Sequence, residues 1–446
     1  RAYCKLNAAW WHNGLSQEYP LRNNQEIEAL VDSEAVRNFA RIDSLRPVHL
    51  CCAPCRDVHI FVADIFRQSL NGEKSRYARA LGADSSFSVA KIKAAMEALE
   101  ILAIERPEDA TIIGSYSKFK DSAVYPPALL LFSEQEQSTS SFPFVRYSDD
   151  LAVEWVCGYD LCGRTPVLVP MDCVFTCVES QQPLVRVDTT GGAAHIDLYQ
   201  SVLHGLYEVI ERDALMITWL CRMGGMRVDL HHEEGPLVDV FQAWAKEIRG
   251  ECTAFEITTE VGIPTFVALI FSDSLGGSVA VGAGANLSRQ KALEKSLLEA
   301  LLCGLYRAGK AEPQAHDDQQ SLTGPAREQD KDEFARKLSF LFMNVSRPGK
   351  ACRGVPKTPE DELRSCVNLL RRQAKQVISV NCGNPELEQM GIYCTKTLIT
   401  WMQPRFVEKS EPRRLGNPRL FSVPCYLGLR PNEQNDHFNI EMHPFV

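Results

Sequence analysis

Apolar residues along this chain recur in two periods, one of three to four residues and one of two. Ile92, Ala95, Met96, Leu99 and Leu102 keep the longer period, which predicts a helix over 87–106 ended by Arg106-Pro107. The run "DLYQSVLHGLYEVIERDALMITWL" predicts a second helix over 197–221, entered from a Gly191-Gly192 turn with Asp197 as N-cap. A third helix is predicted over 288–308, opening at Ser288. A helix-like stretch also covers "NNQEIEALVDSEAVRNFARI" near the start. The shorter period and β-rich composition mark "LAVEWVCGYDL" and "TPVLVPMDCVF" as a hairpin. Two more strands are expected in "GIPTFVALIFSDSLGGSVAVGAGAN" around Gly276-Gly277, and short strands before residue 150, including the apolar run 128–132.

Between these blocks, residues 309–332 are polar and rich in Gln, Asp and Pro, and read as an exposed linker. Helix and strand signals resume to about residue 402, and the last forty residues are Pro- and Arg-rich without periodicity. No solenoid repeat is present. The strand, Gly turn and helix before 197–221 do recur before 288–308, which suggests two similar halves.

Composition changes this picture little. The chain has 446 residues, 45% hydrophobic and 24% charged, so a sizeable core is expected. A net charge of −9 argues against a nucleic-acid binder, which needs a basic surface to displace counterions. No apolar run reaches the ~18 residues of a membrane helix. The first residues do not resemble a secretory signal, although a chain opening at Arg1 gives that point little weight. Sixteen cysteines in so long a chain fit reduced thiols of a cytoplasmic protein better than a disulfide scaffold. Cys51, Cys52 and Cys55, or Cys157, Cys162, Cys173 and Cys177, could be considered for zinc, but neither group gives two close pairs.

Charge spacing on the three helices is more informative. His204, Glu208, Glu211 and Arg212 share a helical face; Glu97 and Glu100 repeat the theme, and Lys295 and Glu299 stand one turn apart. Clustered carboxylates beside a cation suit Mg²⁺ and phosphate. The same spacing also makes ordinary solvated, salt-bridged helix faces. No Walker-type glycine loop is present.

The stretch "VDTTGGAAHIDLYQSVLHGLYEVIERDAL" (187–215) resembles the hallmark segment of the YcaO family. "KIKAAMEALE" (91–100) is similar to that family's first helix, written SxxxExxER, and "GAGANLSRQKALEKSLLEAL" (282–301) to its third. "WVCGYDLCGRTPVLVP" (155–170) and "RRLGNPRL" (413–420) resemble segments of its azoline-forming branch, the cyclodehydratases of thiazole/oxazole-modified microcin biosynthesis. The likeness covers roughly residues 80–446. It implies an α/β fold of YcaO type, with mixed sheets and helices lining an ATP and Mg²⁺ pocket. Residues 76–446 would form the catalytic domain, with a proline-containing tail at 431–446, after an N-terminal segment, 1–75, of unassigned role.

The resemblance implies that Glu97, Glu100, Glu208, Glu211 and Glu299 face Mg²⁺ and that Arg212 contacts phosphate, with Lys295 where a basic residue is usual. Three positions depart from the pattern. Lys93 replaces the Ser and Ile101 the Arg of the first motif, and Leu302 stands where a Gln often follows. The ending Met442-His443-Pro444-Phe445-Val446 is similar to the PxPxP-like tail of the azoline-forming branch. In that branch the tail threads toward the active site, so the Val446 carboxylate, or alternatively His443, would move a proton.

The implied activity is ATP-dependent phosphorylation of backbone amide oxygens in a ribosomal precursor peptide, so that Cys, Ser or Thr side chains cyclise. Implied partners are that peptide, a leader-binding E1-like protein and a flavin-dependent azoline dehydrogenase, around a homodimer, without nucleic acid or membrane. A thioamide- or amidine-forming member of the family, or a non-catalytic scaffold, remains open.

Overall fold

The computed structural model describes residues 9–11, 13–15, 22–48, 50, 53–68, 74–105, 112–176, 182–275, 279–308, 336–343, 356–373, 375–429 and 438–445. The linker expected at 309–332, the Gly276-Gly277 turn and Val446 lie outside the described residues. Among the described residues, the helices of eight or more residues are α1 (Asn24–Val31), α2 (Phe87–Ala103), α3 (Leu198–Leu220), α4 (Pro236–Glu247), α5 (Arg289–Arg307), α6 (Pro359–Arg372) and α7 (Arg419–Tyr426).

Three antiparallel sheets carry them. The first joins β1 (Ile42–Val48), β2 (His59–Gln68) and β3 (Lys74–Asp84) in that order. The second runs β4 (Ile112–Gly114), β5 (Val153–Asp160), β12 (Val377–Asn381), β13 (Tyr393–Ile399), β7 (Gly192–His195), with β6 (Thr165–Pro170) also on β5. The third runs β11 (Val279–Ala285), β10 (Thr265–Phe271), β9 (Glu251–Glu256), β8 (Met226–Val228). The expected hairpin is therefore β5–β6. A division at residue 75 falls inside β3, which pairs with β2, so the N-terminal strands belong to the sheet under α2. The apolar run at 128–132 is no strand. Pro126 and Pro127 start a helical turn, Pro127–Leu130, and Leu131 closes it at φ 61°.

Helix α3 is the centre of the molecule. It packs between the second and third sheets, buried on nearly every side. Helix α2 lies on the first sheet and reaches β7 and β13, and α5 covers β10 and β11.

Strand, turn and helix recur three times rather than twice, as β3–α2, β7–α3 and β11–α5. The N-caps Ser86, Asp197 and Ser288 each accept a backbone N–H of the first turn. Eleven residues after each cap, three helical turns on, stands Glu97, Glu208 or Glu299. Each of these glutamates accepts a backbone N–H from the strand or turn that precedes its helix. Leu81 donates at 3.1 Å, Gly191 at 2.8 Å and Ala283 at 3.2 Å. Such contacts need helix and strand backbones to touch. A Cβ on Gly82 would lie 2.0 Å from Ala90 O, and one on Gly205 2.3 Å from Gly191 O.

Candidate active site

The triple unit directs its carboxylates inward, where burial and mutual repulsion raise their proton affinity. Glu97 is pushed up to about 7, first by loss of water and then by the charges of Glu208 and Glu299. Glu100 is raised well above the ordinary range by burial and by Glu208 and Glu97. Burial raises Glu299 too, although Lys295 opposes it.

Two cations are set among them. Lys295 Nζ lies 2.7 Å from Glu211 Oε2 and 3.6 Å from Glu299 Oε1. Arg212 lies 3.7 Å from Glu208 and 3.6 Å from Glu211. Burial alone would raise Glu211, but Lys295 and Arg212 outweigh it and hold it low. Glu211 Oε1 is buried and makes no hydrogen bond. The expected residues Glu97, Glu100, Glu208, Glu211, Arg212, Lys295 and Glu299 are thus brought together.

The departures lie elsewhere. Lys93 Nζ is bound to Asp84 Oδ2 at 2.7 Å. Ile101 and Leu302 pack against hydrophobic clusters.

Behind Arg212 a cavity of about 120 Å³ opens, lined by Asp188, Lys396, Gln403, Arg405 and Arg414 among others. Arg405 lies 3.2 Å from Asp188 Oδ2, and Lys396 Nζ donates to Asp188 O at 2.7 Å. Burial works against the Asp188 carboxylate, yet Arg405 and Lys396 keep it well below the usual range. Sequence reasoning missed these three residues. The available signal was a lysine alone within an apolar strand run, since lysine is rarely fully buried without a partner.

The tail docks beside this cavity. Asn439 N donates to Leu220 O at 2.8 Å and Trp219 Nε1 to Glu441 O at 3.0 Å. The Phe445 ring meets Trp219 edge-on at 5.9 Å and stacks on His443 at 5.7 Å. His443 was a candidate proton carrier, but both its ring nitrogens are engaged. Nε2 lies 2.7 Å from Phe406 O, and Nδ1 accepts Phe445 N–H at 3.2 Å. Burial, with Arg405 nearby, pushes its pKa down to about 3. This geometry makes His443 an anchor of the tail. The other candidate, the Val446 carboxylate, falls outside the described residues.

The donor set can be tested against Mg²⁺ directly. Hard oxygen donors, mutual repulsion at Glu97 and Glu100 and the orphan Glu211 oxygen all fit a divalent cation. Among the described residues, however, no three His, Cys, Asp or Glu side chains form a ready metal cluster. Mg²⁺ commonly takes one or two carboxylates and completes its shell with phosphate oxygens and water, and the site fits that pattern. For zinc, Cys55, Cys157 and Cys173 are buried and Cys162 is half-buried, while Cys51, Cys52 and Cys177 lie outside the described residues.

Three helices present carboxylates around a buried arginine, a set of groups whose chemistry suits a divalent cation with a phosphorylated ligand. The chain belongs to the YcaO family: the model described as YcaO cyclodehydratase, ATP- and Mg²⁺-binding, matches residues 81–403. Its cofactors are accordingly ATP and Mg²⁺.

Among curated proteins, one from Methanothermobacter thermautotrophicus is 26% identical over 236 residues, covering 51% of this chain and 57% of that protein. One from the region 3′ of tfuA in Rhizobium leguminosarum bv. trifolii is 28% identical over 131 residues, 28% of this chain and 31% of that protein. The chain thus spans little more than half, or less, of the relatives it matches.

Among solved structures, a heterocyclase in complex with substrate and cofactor superposes with a TM-score of 0.73 at 20% identity, covering 94% of this chain and 57% of that one. YcaO from Methanopyrus kandleri bound with AMPPCP and Mg²⁺ gives 0.64 at 18%, covering 86% and 92%. The E. coli microcin synthetase McbBCD complex with pro-MccB17 bound gives 0.54 at 15%, covering 79% and 87%. At these identities the likeness concerns the fold. No helix among the described residues is long and apolar enough to cross a membrane.

Proposed function

We propose that this chain is the ATP-dependent cyclodehydratase subunit of a system that converts Cys, Ser or Thr residues of a ribosomal precursor peptide to thiazolines or oxazolines. The observation that carries the reading is the carboxylate and arginine cluster on three repeated strand–helix units, with the C-terminal tail docked against the middle helix. A side chain of the peptide attacks the preceding carbonyl. That attack closes the ring. The resulting oxyanion takes the γ-phosphoryl group of ATP as the bond to ADP breaks, and phosphate then leaves as the amide nitrogen gives up its proton and the C=N bond forms.

Pairs among Glu97, Glu100, Glu208, Glu211 and Glu299 would hold Mg²⁺, which when bound neutralises charge on the transferring phosphoryl group. Arg212 binds phosphate oxygens, and Lys295 keeps Glu211 ionised. The tail is anchored against the middle helix and Phe406 through His443 and Phe445. The reading includes a separate E1-like leader-binding partner, an azoline dehydrogenase, a homodimer and a cytoplasmic location.

The test is thermal unfolding with increasing ATP and Mg²⁺. A ligand at 100 times its Kd stabilises by about 2.7 kcal/mol, so Tm of the wild type should rise and Glu208→Ala should lose that rise. No rise in the wild type, with or without a partner, removes the ATP-dependent reading. A parallel incubation with sulfide separates thioamide formation from ring closure.

A further inference from the structure

Lys396 is a buried charge that the nucleotide site does not account for. It sits in the middle of β13, paired with Val380 on one side and with Gly192 on the other. It is 1% exposed, and among the described residues its hydrogen bond is to Asp188 O. An ammonium has three donors, and burying it with one acceptor costs several kcal/mol unless other partners arrive.

Its surroundings are charged on two sides. Asp188 lies toward Arg405 and the cavity, and Glu208 and Glu100 lie toward the carboxylate cluster. The side chain therefore stands between the groups assigned to phosphate and metal and a cavity of about 120 Å³. That volume is well under the ~300–1,000 Å³ of whole-ligand pockets, and suits a peptide group better than a nucleotide.

We propose that this cavity receives the reacting peptide group and that Lys396 is a catalytic residue on its wall, holding the amide-derived oxygen as it passes from carbonyl to oxyanion to phosphate. The assignment rests on the cyclodehydratase reading above. Attack on the carbonyl converts its π bond to a C–O⁻ bond. That oxygen then bonds to the γ-phosphorus as the bond to ADP breaks. Lys396 gives no proton in either step; its charge is matched to one that exists only after attack, which makes the contact selective for the transition state. Asp188, fixed by Arg405, is a positioning residue that holds the ammonium through its backbone carbonyl.

The experiment uses the full chain, ATP, MgCl₂ and a short end-blocked Gly-Ala-Cys-Gly peptide at millimolar concentration, with peptide-dependent ADP release as readout. Lys396→Met and Lys396→Gln are both made, and whichever keeps the MgADP-induced rise in Tm is read. The expected result is a fall in peptide-dependent kcat of about 10²–10³-fold with MgADP affinity within about threefold of wild type. Peptide-dependent turnover within threefold of wild type overturns the assignment. So does a loss of MgADP binding in both folded variants, which would place Lys396 in the nucleotide site. An absence of peptide-dependent ADP release in the wild type, with the short peptide and with a leader-bearing precursor plus the partner protein alike, is a different outcome, because it defeats the cyclodehydratase reading on which the assignment rests.

Discussion

Two carboxylates, two residues apart on α3, are both fully buried and live in opposite surroundings. Asp213 is complete. Arg419 donates to both its oxygens, at 2.9 Å for Oδ2, and Gln403 N donates to Oδ1 at 2.6 Å. Arg419 continues to Glu260 at 2.8 and 3.0 Å. Glu211 is incomplete. One oxygen holds Lys295 at 2.7 Å, and the other, 3.6 Å from Arg212 Nη1, makes no hydrogen bond. Burial does not separate a functional charge from a structural one here. Whether the protein satisfies the charge does.

The comparison breaks most visibly at Asp213. Asp213→Ala removes one of the two carboxylates that Arg419 spans, leaving the buried guanidinium with the Glu260 carboxylate alone and Gln403 N without its acceptor. Losing one partner of a buried ion pair costs about 3 kcal/mol. Urea unfolding should show that loss without any ligand present. Glu208→Ala relieves repulsion with Glu100 and Glu97, and should leave ligand-free stability within about 1 kcal/mol of wild type. Equal losses in the two variants would erase the distinction between the two sets of charges.

How much of this was legible in the sequence follows the same line. The three helices were readable from their period and caps, and Ser86, Asp197 and Ser288 cap them in the structure. Glu97, Glu208 and Glu299 were singled out by the resemblance to the YcaO family, since their local spacing suits a solvated helix face equally well. The third copy of the strand–helix unit was not readable, since β3–α2 lacks the Gly-Gly turn that made the other two look alike. Asp188, Lys396 and Arg405 come from a loop, a strand and a post-proline segment up to 217 residues apart, and only the sheet brings them together. The Asp213–Arg419 pair spans 206 residues and was equally out of reach. The run at 128–132 misled because apolar composition cannot tell a short strand from a helical turn; the two prolines before it decided.

A middle-sized effect is expected from pH. Glu97 has a folded pKa of about 7 against 4.5 for the free side chain. Its contribution to ligand-free stability is therefore full below 4.5 and lost as pH rises through 7. Mg²⁺ requires the ionised form, so nucleotide binding should release a proton and weaken about tenfold per pH unit below 7. Calorimetry of MgATP binding at pH 6.5 and 8 in two buffers of different ionisation enthalpy measures both. Binding without proton release would place Glu97 with the satisfied charges, beside Asp213.

The smallest effect is expected at His443, because its ring belongs with the satisfied groups. Nε2 is held by Phe406 O, Nδ1 by Phe445 N–H, and the ring stacks on Phe445 and meets Phe406 edge-on. A base needs a free lone pair facing the proton it removes, and neither nitrogen offers one. His443→Asn should cost about 1–2 kcal/mol of stability through lost hydrogen bonds and stacking. Turnover should stay within about threefold, with the pH–rate profile unmoved. Acid should mimic the substitution. The folded pKa of about 3 lies below the ordinary 6.5, so the ring favours the docked tail fully above 6.5 and loses that contribution as pH falls toward 3. Limited proteolysis of the C-terminus at pH 7.5 and pH 5 reads that release. A hundredfold loss of turnover in His443→Asn with unchanged stability and a shifted pH profile would instead make the ring a proton carrier, and would show that a partnered group can still serve the reaction.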